Sequence, residues 1–547
     1  MLNALHRPTS FYRRCILPAI SVALLFLPHS ACKRGQSIVD QATANQILHV
    51  GNGQEPQELD PHIITGVSEI KILTALFEGL VGQDPANLDP IPGAAESWEI
   101  SPDSLTYTFH LRPNLKWSDG QALEAEDFAF SYQRALTPEV AAPNAYLLHV
   151  LKNAAAYYQG EVPFEDVGVK ALDDRTLELQ LSHPAPYLLS LLAHPVWFPL
   201  QRETIASEGE ALGRSPGWTR PGKLVSNGPF RLNDWKVNGY VHVVKNPHYW
   251  DAERTRLNQI FFYPTESREA EERAFRAGQL HLTEAMPVSK VGFYRDQNHP
   301  SLQIDPYLGT YYLQLNTRNP VLADARVRRA LGLAIDRDLI VASITRGGQK
   351  PAWHFTPPGT GGYTPAIAGD KNIEMARKLL AQAGYPGGEG FPKLSYLYNT
   401  SENNKAIAEA LQQMWRQNLG LTVELFNQEW KVYTHSRETG QFDILRSSWI
   451  GDYLDATSFL DVWTSESGNN FTGWKSPPYD HLLENARRLS LTTERFERFQ
   501  QAEELLMREQ PIIPLYFYTS VYLKHESVKG FYPTLLNYHP WKFVYLE

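Results

Sequence analysis

The chain has 547 residues, of which 43% are hydrophobic and 20% are charged, and its formal net charge is −9. This composition excludes a disordered or fibrous chain and predicts two to four domains with large buried cores. Since no basic cluster offsets the negative charge, we expect no nucleic-acid binding, and two cysteines, Cys15 and Cys32, are too few for a thiolate metal cage or a disulfide framework.

The N-terminal segment has the features of an export signal. Three arginines and no acidic residue precede an apolar run at 15–28, which is too short to span a bilayer and contains two prolines. Small residues then lead to Cys32, which predicts removal of residues 1–31 and lipid modification of Cys32. His29 stands where such cleavage sites usually have an aliphatic residue, so ordinary cleavage after Ala31 is the alternative.

Helix and strand patterns alternate along the rest of the chain. In chain order they predict a strand at 46–50, a helix with apolar positions from 70 to 80, a strand at 107–112, a helix at 127–136, a turn at 173–174 and a strand at 177–181, a helix capped by Asp324, a helix at 373–383, a strand at 394–398, a helix at 407–419, a strand at 421–426, a helix at 494–508 and a strand at 512–518. The regular alternation in the second half predicts an α/β domain with a largely parallel sheet.

Two motifs resemble catalytic sequences but lack the required context. Residues 213–217 (GRSPG) match the nucleophile pattern of hydrolases, yet Ser215 has no buried strand before it and no helix-forming sequence after it. Residues 217–223 (GWTRPGK) approximate a phosphate-binding loop without its hydroxyl residue. We predict loops at both motifs, no metal site and no cofactor, so a peptidase or esterase using Ser215 is the weaker hypothesis.

The segment 427–470 combines aromatic residues with both signs of charge. It contains Trp430, Trp449, Tyr453 and Trp463 among Arg437, Arg446, Asp452 and Asp455. One interpretation is a surface on which arginines and aspartates pair with each other. The other is a site for a ligand with an ammonium and a carboxylate group, held by opposite charges between aromatic walls. The residues alone leave both interpretations open.

The same segment resembles the ligand segment of oligopeptide-binding proteins of bacterial ABC importers, in the peptide/nickel family of extracellular solute-binding proteins. The resemblance extends over almost the whole mature chain. Its other segments are LDPHIITGVSEIKILTALFEGLVG (59–82), AAESWEISPDSLTYTFHLRPNLKWSDGQALEAEDFAFSYQRAL (94–136), VSNGPFRLNDWKVNGYVHVVKNPHYW (225–250), DPYLGTYYLQLN (305–316) and ARVRRALGLAIDRDLI (325–340).

The resemblance implies an α/β fold, a two-lobed periplasmic-binding-protein clamp with an additional inserted domain. Lobe I would comprise 33–77, 202–308 and 519–547, the inserted domain II 78–201, and lobe III 309–518. A hinge would lie near 308 and 518, with the ligand between the lobes. The protein would be a periplasmic or envelope-bound monomer, lipid-anchored at Cys32, that delivers short peptides to an ABC permease.

The resemblance also implies the roles of ten residues. Asp452 would bind the α-ammonium of the peptide, and Arg446 and Arg437 the carboxylate of a short peptide. Aromatic residues would line the cleft, and three backbone positions would pair with the peptide as added β-strands. The aromatic residues are Trp430, Trp449, Tyr307 and Tyr518, and the backbone positions are Val67, Ser448 and Ile450.

The chain departs from the family pattern where longer ligands are bound. Thr65 replaces a glutamate, Asn404 replaces a histidine, and a lysine is missing near Thr345. A family tyrosine is replaced near Asn144, although Tyr146 is close. These departures leave ligand length open, so a specialised ligand such as a murein peptide, haem or a metal chelate is the alternative to general short peptides.

Overall fold

The computed structural model of the protein describes residues 37–215, 217–489 and 492–547. The predicted signal segment, its cleavage and the lipid modification of Cys32 lie outside the described residues. Within those ranges, no helix combines the length and apolar character needed to cross a membrane.

The strands occur along the whole described chain. They are β1 Ile47–Gly53, β2 Val81–Gln83, β3 Pro90–Pro92, β4 Ala95–Ile100, β5 Thr106–Leu111, β6 Val169–Asp173, β7 Thr176–Gln180, β8 Phe230–Lys236, β9 Tyr240–Lys245, β10 Gln259–Pro264, β11 Leu302–Leu315, β12 Lys350–Pro351, β13 Leu394–Asn399, β14 Val423–Gln428, β15 Ile444–Ile450, β16 Ile512–Leu523, β17 Val528–Lys529 and β18 Tyr545–Leu546.

The α-helices also occur along the whole described chain. They are α1 Ile38–Ala44, α2 Val67–Leu76, α3 Ala125–Leu136, α4 Ala154–Tyr158, α5 Leu188–Leu191, α6 Arg202–Ala206, α7 Arg268–Arg276, α8 Val288–Asp296, α9 Ala325–Leu333, α10 Arg337–Leu339, α11 Ile373–Gln382, α12 Glu402–Leu419, α13 Trp430–Glu438, α14 Thr457–Leu460, α15 Pro477–Arg487 and α16 Thr492–Glu509.

Local sequence signals explain several of these boundaries. The Asp324 side chain accepts a hydrogen bond from the backbone of Arg326 and so caps α9. Helix α12 ends at Gly420, whose φ of 73° is accessible to glycine at little cost. Alternating burial along β5 places one face of that strand in a core. The predicted helices and strands are confirmed, with boundaries shifted by a few residues.

Two four-stranded sheets belong to separate hydrophobic cores. The sheet β1-β10-β9-β8 packs against a core that combines residues near both ends of the described chain, such as Leu48 and Leu546. The antiparallel sheet β4-β5-β7-β6 packs against α3 in a core formed from residues between Leu80 and Trp197.

The largest sheet has six strands in the order β12-β16-β11-β15-β13-β14. Its β13–β14 and β13–β15 pairs are parallel, whereas β11–β15, β11–β16 and β12–β16 are antiparallel. The prediction of a largely parallel sheet is therefore wrong. Alternation of helices and strands correctly predicted the parallel pairs, but β11 and β16 are long strands far apart in sequence that meet antiparallel.

Strands β11 and β16 contain the two predicted hinge positions. They pair from Leu302 to Gln314, and the register is irregular between Pro306 and Thr310. Proline cannot donate a ladder hydrogen bond, so an interruption at this point follows from the sequence. The irregularity lies beside Tyr307, one of the predicted ligand-binding residues.

Candidate functional site

A cavity of about 350 Å³ is bordered by residues from widely separated parts of the chain. One wall includes α2 and the segment 282–284, and another includes the end of β15 and the residues that follow it. Four predicted site residues line this cavity: Val67, Tyr307, Ile450 and Asp452. A concave space of this size is suited to a small ligand.

Asp452, in the wall of this cavity, takes part in two hydrogen bonds with uncharged side chains. Its backbone N–H donates to the Ser458 hydroxyl at 2.9 Å, and its carboxylate accepts a hydrogen bond from the Tyr146 hydroxyl at 3.0 Å. No lysine or arginine of the described residues forms an ion pair with it. Burial raises the pKa of Asp452 to about 6, although the Tyr146 hydrogen bond opposes this rise.

A second cavity, of about 300 Å³, meets the first at Asp452. Tyr146, Tyr187 and Trp449 are among its lining residues. Tyr187 stacks on Tyr453 with ring centroids 4.9 Å apart. These contacts connect the segment around α5 to the segment that follows β15, so Asp452 lies where these two segments meet.

Strand β15 has an edge that no described strand covers beyond its first two residues. β13 pairs with it only at Ile444 and Leu445, whereas β11 pairs along its full length. The Gly451 N–H donates to the Leu308 carbonyl, so the backbone polar groups of Gly451 face β11. Along an antiparallel strand the backbone groups of successive residues point alternately to the two sides. The backbone N–H and C=O groups of Ser448 and Ile450 therefore face the uncovered edge.

Arg446 lies on the same strand and has no carboxylate partner among the described residues. Its guanidinium donates to Tyr518 Oη at 3.2 Å and to Asn399 Oδ1 at 3.3 Å, and lies 4.7 Å from the centroid of the Tyr311 ring. Its Nε atom is buried and has no hydrogen-bond partner in the described part of the chain. A partly buried cation without a counterion favours the approach of an anion.

The neighbouring helix α13 carries two more of the predicted residues. Arg437 lies over the Phe471 ring at 4.7 Å and 3.8 Å from its neighbour Glu438. Trp430 is 53% exposed and stacks on Tyr433 with centroids 5.5 Å apart. Both side chains are therefore supported by aromatic contacts and remain partly accessible.

The predicted site residues form two groups. Four line the first cavity, and Trp449 lines the second, where its indole N–H donates to the Ser458 carbonyl at 2.6 Å. The other five border neither cavity. They lie on β15 (Arg446 and Ser448) or on α13 (Arg437 and Trp430), or they contact Arg446 (Tyr518). Val67 begins α2, so it does not lie on a strand.

The interpretation of 427–470 as arginines and aspartates that pair with each other is wrong, because the arginine partner of Asp455 lies outside the segment. Asp455 forms a buried pair with Arg495, with contacts of 2.6 and 2.8 Å. Neither Arg446 nor Arg437 pairs with Asp452. The charges that the ligand interpretation requires therefore have no charged partner other than the weak Arg437–Glu438 contact, in the part of the chain described.

Sequence reasoning missed an ion pair in the first cavity. Lys71 on α2 pairs with Glu284, and both line the cavity. The buried Glu271 accepts a hydrogen bond from the Glu284 N–H at 3.0 Å, and burial raises the pKa of Glu271 to about 7. Lys71 and Glu284 are more than 200 positions apart in the sequence, and no sequence pattern links them.

The predicted loop around Ser215 is confirmed. No described residue between Ala206 and Phe230 belongs to a helix or strand, and the Ser215 hydroxyl donates to the Glu210 carbonyl at 2.9 Å. This hydrogen bond is local and does not link the serine to a histidine. The geometry gives no support to a nucleophile at this position.

Comparison with known proteins identifies the family. Residues 89–471 match the model of bacterial extracellular solute-binding proteins, family 5 Middle. The periplasmic oligopeptide-binding protein OppA of Escherichia coli is 37% identical over 534 residues, 96% of each chain. The periplasmic murein peptide-binding protein MppA of E. coli is 39% identical over 485 residues, 87% of this chain and 88% of that protein. The structure of Haemophilus influenzae OppA in complex with RPPGFSPFR has a TM-score of 0.77 at 33% identity and covers 92% of this chain and 99% of that one.

Proposed function

The chain belongs to the bacterial extracellular solute-binding proteins of family 5, and on this premise we propose that it captures short peptides and delivers them to an ABC-type membrane permease. The proposal is carried by one arrangement. Asp452, without a basic partner, and Arg446, without an acidic partner, lie at the two ends of the uncovered edge of β15 among the described residues.

Each part of a peptide has a partner in this arrangement. The α-ammonium group would pair with Asp452, and the C-terminal carboxylate with Arg446, assisted by Arg437. Backbone groups of the peptide would pair with Ser448 and Ile450 and, on the opposite wall, with Val67, which adds affinity that is independent of sequence. The cleft walls would be formed by Trp430, Trp449, Tyr307 and Tyr518.

The spacing of the charges favours a short ligand. An extended strand rises by about 3.3 Å per residue, so the step from Arg446 to Ile450 spans roughly 13 Å. A peptide of about three to five residues in the same conformation covers a similar length. The replacement of a histidine by Asn404 agrees with this length, because Asn404 is buried and accepts a hydrogen bond from Tyr311 at 3.2 Å.

We propose the domain boundaries predicted from the sequence, with lobes that close on the ligand about β11 and β16. The separate hydrophobic cores and the register irregularity between Pro306 and Thr310 support this division. A peptide that bridges the lobes would stabilise the closed form. Small-angle scattering should therefore give a smaller radius of gyration at saturating peptide, and an unchanged profile would contradict the closure.

We propose that the protein acts outside the cytoplasmic membrane as a monomer, with Cys32 as a lipid anchor. Membership of an extracellular solute-binding family supports export. In this proposal Cys32→Ser releases the protein from the membrane fraction and removes the mass of the lipid. Unchanged fractionation and mass would favour ordinary cleavage instead.

Mass spectrometry of the ligand that co-purifies with the protein tests the proposed function. Heterogeneous peptides of about two to five residues would support it. A single murein peptide, the second candidate on account of the similarity to MppA, would narrow the function to a specialised carrier. Haem or a metal chelate would replace the peptide proposal, and hydrolysis of added peptides that depends on Ser215 would establish the enzyme alternative.

A further inference from the structure

A third cavity, of about 160 Å³, shares no lining residue with the two cavities at Asp452. It lies between α9, α10, the end of α16 and the start of β16, and it has two arginines in its wall, Arg329 and Arg337. An apolar cavity of about 150 Å³ can hold a benzene molecule, so this space suffices for a small molecule.

Arg337 is a buried cation with which no carboxylate is in contact in the part of the chain that the structure describes. It is 2% exposed, donates through Nε to the Pro514 carbonyl at 2.8 Å and through Nη1 to the Gly332 carbonyl at 3.0 Å, and lies 3.8 Å from the centroid of the Trp353 ring. These contacts satisfy two donors but supply no negative charge. Burial lowers the pKa of Arg337 to about 9, while the neighbouring Asp338 opposes this effect.

Arg329 has fewer polar contacts than Arg337. It lies half-buried on α9 and forms no hydrogen bond or ion pair with any residue that the structure describes. The hydrogen bonds of Arg337 are those of a packed structural residue. They do not explain why a second guanidinium, that of Arg329, lies in the same cavity wall. The third polar side chain there is Gln510, whose amide nitrogen lies next to Gly332.

We propose that Arg329, Arg337 and Gln510 form a site for a small oxyanion, a carboxylate or a phosphate group, outside the peptide cleft. Guanidinium groups recognise such anions through paired N–H donors, and an anion here would supply the charge that Arg337 lacks. The amide of Gln510 adds a neutral donor. The planar Trp353 ring fixes the Arg337 guanidinium from one side, which reduces the entropy lost on binding.

Calorimetric titration of the mature protein with sodium phosphate and with citrate, at ionic strength held constant by sodium chloride, tests the site. We expect saturable binding of at least one of these anions. Arg329→Met should weaken it at least tenfold and leave peptide affinity unchanged. Arg326→Met is the matched control, because Arg326 is on the same helix but pairs with Asp324 at 2.6 Å, and it should bind the anion like the parent.

A second arm distinguishes a free anion from a lipid headgroup. Sedimentation with phosphatidylglycerol vesicles that is lost in Arg329→Met but retained in Arg326→Met would assign the phosphate to a headgroup. Absence of saturable binding to phosphate, citrate and vesicles would overturn the proposal, as would equal losses in the two variants. Arg337→Met should also lose the anion, provided that its unfolding temperature shows it to be folded.

Discussion

Replacing Asp452 by asparagine should strengthen the fold and weaken peptide binding. The pKa of Asp452 is raised from 3.8 to about 6 by burial, and this rise corresponds to roughly 3 kcal/mol of folding free energy lost by keeping the carboxylate ionised at neutral pH. Asparagine retains an acceptor for Tyr146 without the charge. We expect Asp452→Asn to unfold at a higher temperature, with a gain of up to about 3 kcal/mol.

Peptide affinity should change in the opposite direction. Removing one partner of a buried charge pair costs about 2–5 kcal/mol, so the dissociation constant should rise by roughly 30- to 4000-fold. N-acetylated peptides, which lack the ammonium, should bind the parent poorly and lose little further affinity in the variant. Calorimetric titration of both proteins with both peptides measures these four constants.

The pH dependence gives an independent check. Because the folded pKa of Asp452 exceeds its unfolded value, this group's contribution to stability falls as pH rises from about 3.8 to about 6. Peptide affinity should rise over the upper part of that range as the carboxylate ionises, and Asp452→Asn should lack this dependence. Asp461→Asn is the control, because Asp461 pairs with Arg487 at 2.9 Å, and this variant should keep the pH dependence of peptide affinity. Equal affinity of Asp452→Asn and parent for the free peptide would refute the assignment.

Three further predictions concern the same cleft and two buried histidines near β1. Arg446→Met should lower affinity for a free tripeptide by roughly 30-fold or more while hardly affecting its C-terminal amide; equal losses for both ligands in titrations would contradict carboxylate binding. Tyr146→Phe removes the hydrogen bond that lowers the pKa of Asp452, so the rise of peptide affinity with pH should move to higher pH in the same titrations, and an unchanged pH profile would leave Tyr146 without a role. Burial lowers the pKa of His49 to about 4 and of His281 to about 3, so stability should fall as pH drops below about 6.5. Thermal unfolding at pH 7 and pH 4.5 should show this loss, with a smaller pH effect in His281→Gln, and equal midpoints for the parent would disprove it.

Local features of the fold were predictable because they depend on neighbouring residues. The cap at Asp324, the stop at Gly420 and the alternation along β5 each act over a few positions. Strand direction within the six-stranded sheet depends on which distant segments meet. β11 and β16 pair although about 200 residues separate them in the sequence. The pattern of apolar residues in one strand does not indicate which distant strand it pairs with.

The candidate site divides in the same way. The charges on α13, on β15 and directly after β15 could be recognised from their position within one segment, and the resemblance assigned them roles. The Tyr146–Asp452 contact joins residues 306 positions apart, so the sequence indicated only that a tyrosine was close to the expected position. Lys71 and Glu284 became visible as a pair only when the fold placed them in one cavity.

The energetics of Asp452 explain why a peptide amine would be recognised in preference to another polar group. In the free protein the carboxylate has the Tyr146 hydroxyl as its hydrogen-bond donor and remains costly to ionise. A neutral donor adds another hydrogen bond but no charge, whereas an ammonium compensates the carboxylate and lowers its pKa. Part of the binding free energy then comes from removing a cost that already exists in the free state. At the other end the Arg446 guanidinium has no carboxylate partner among the described residues, so an uncharged ligand of equal size would lack the attraction that a carboxylate gains there.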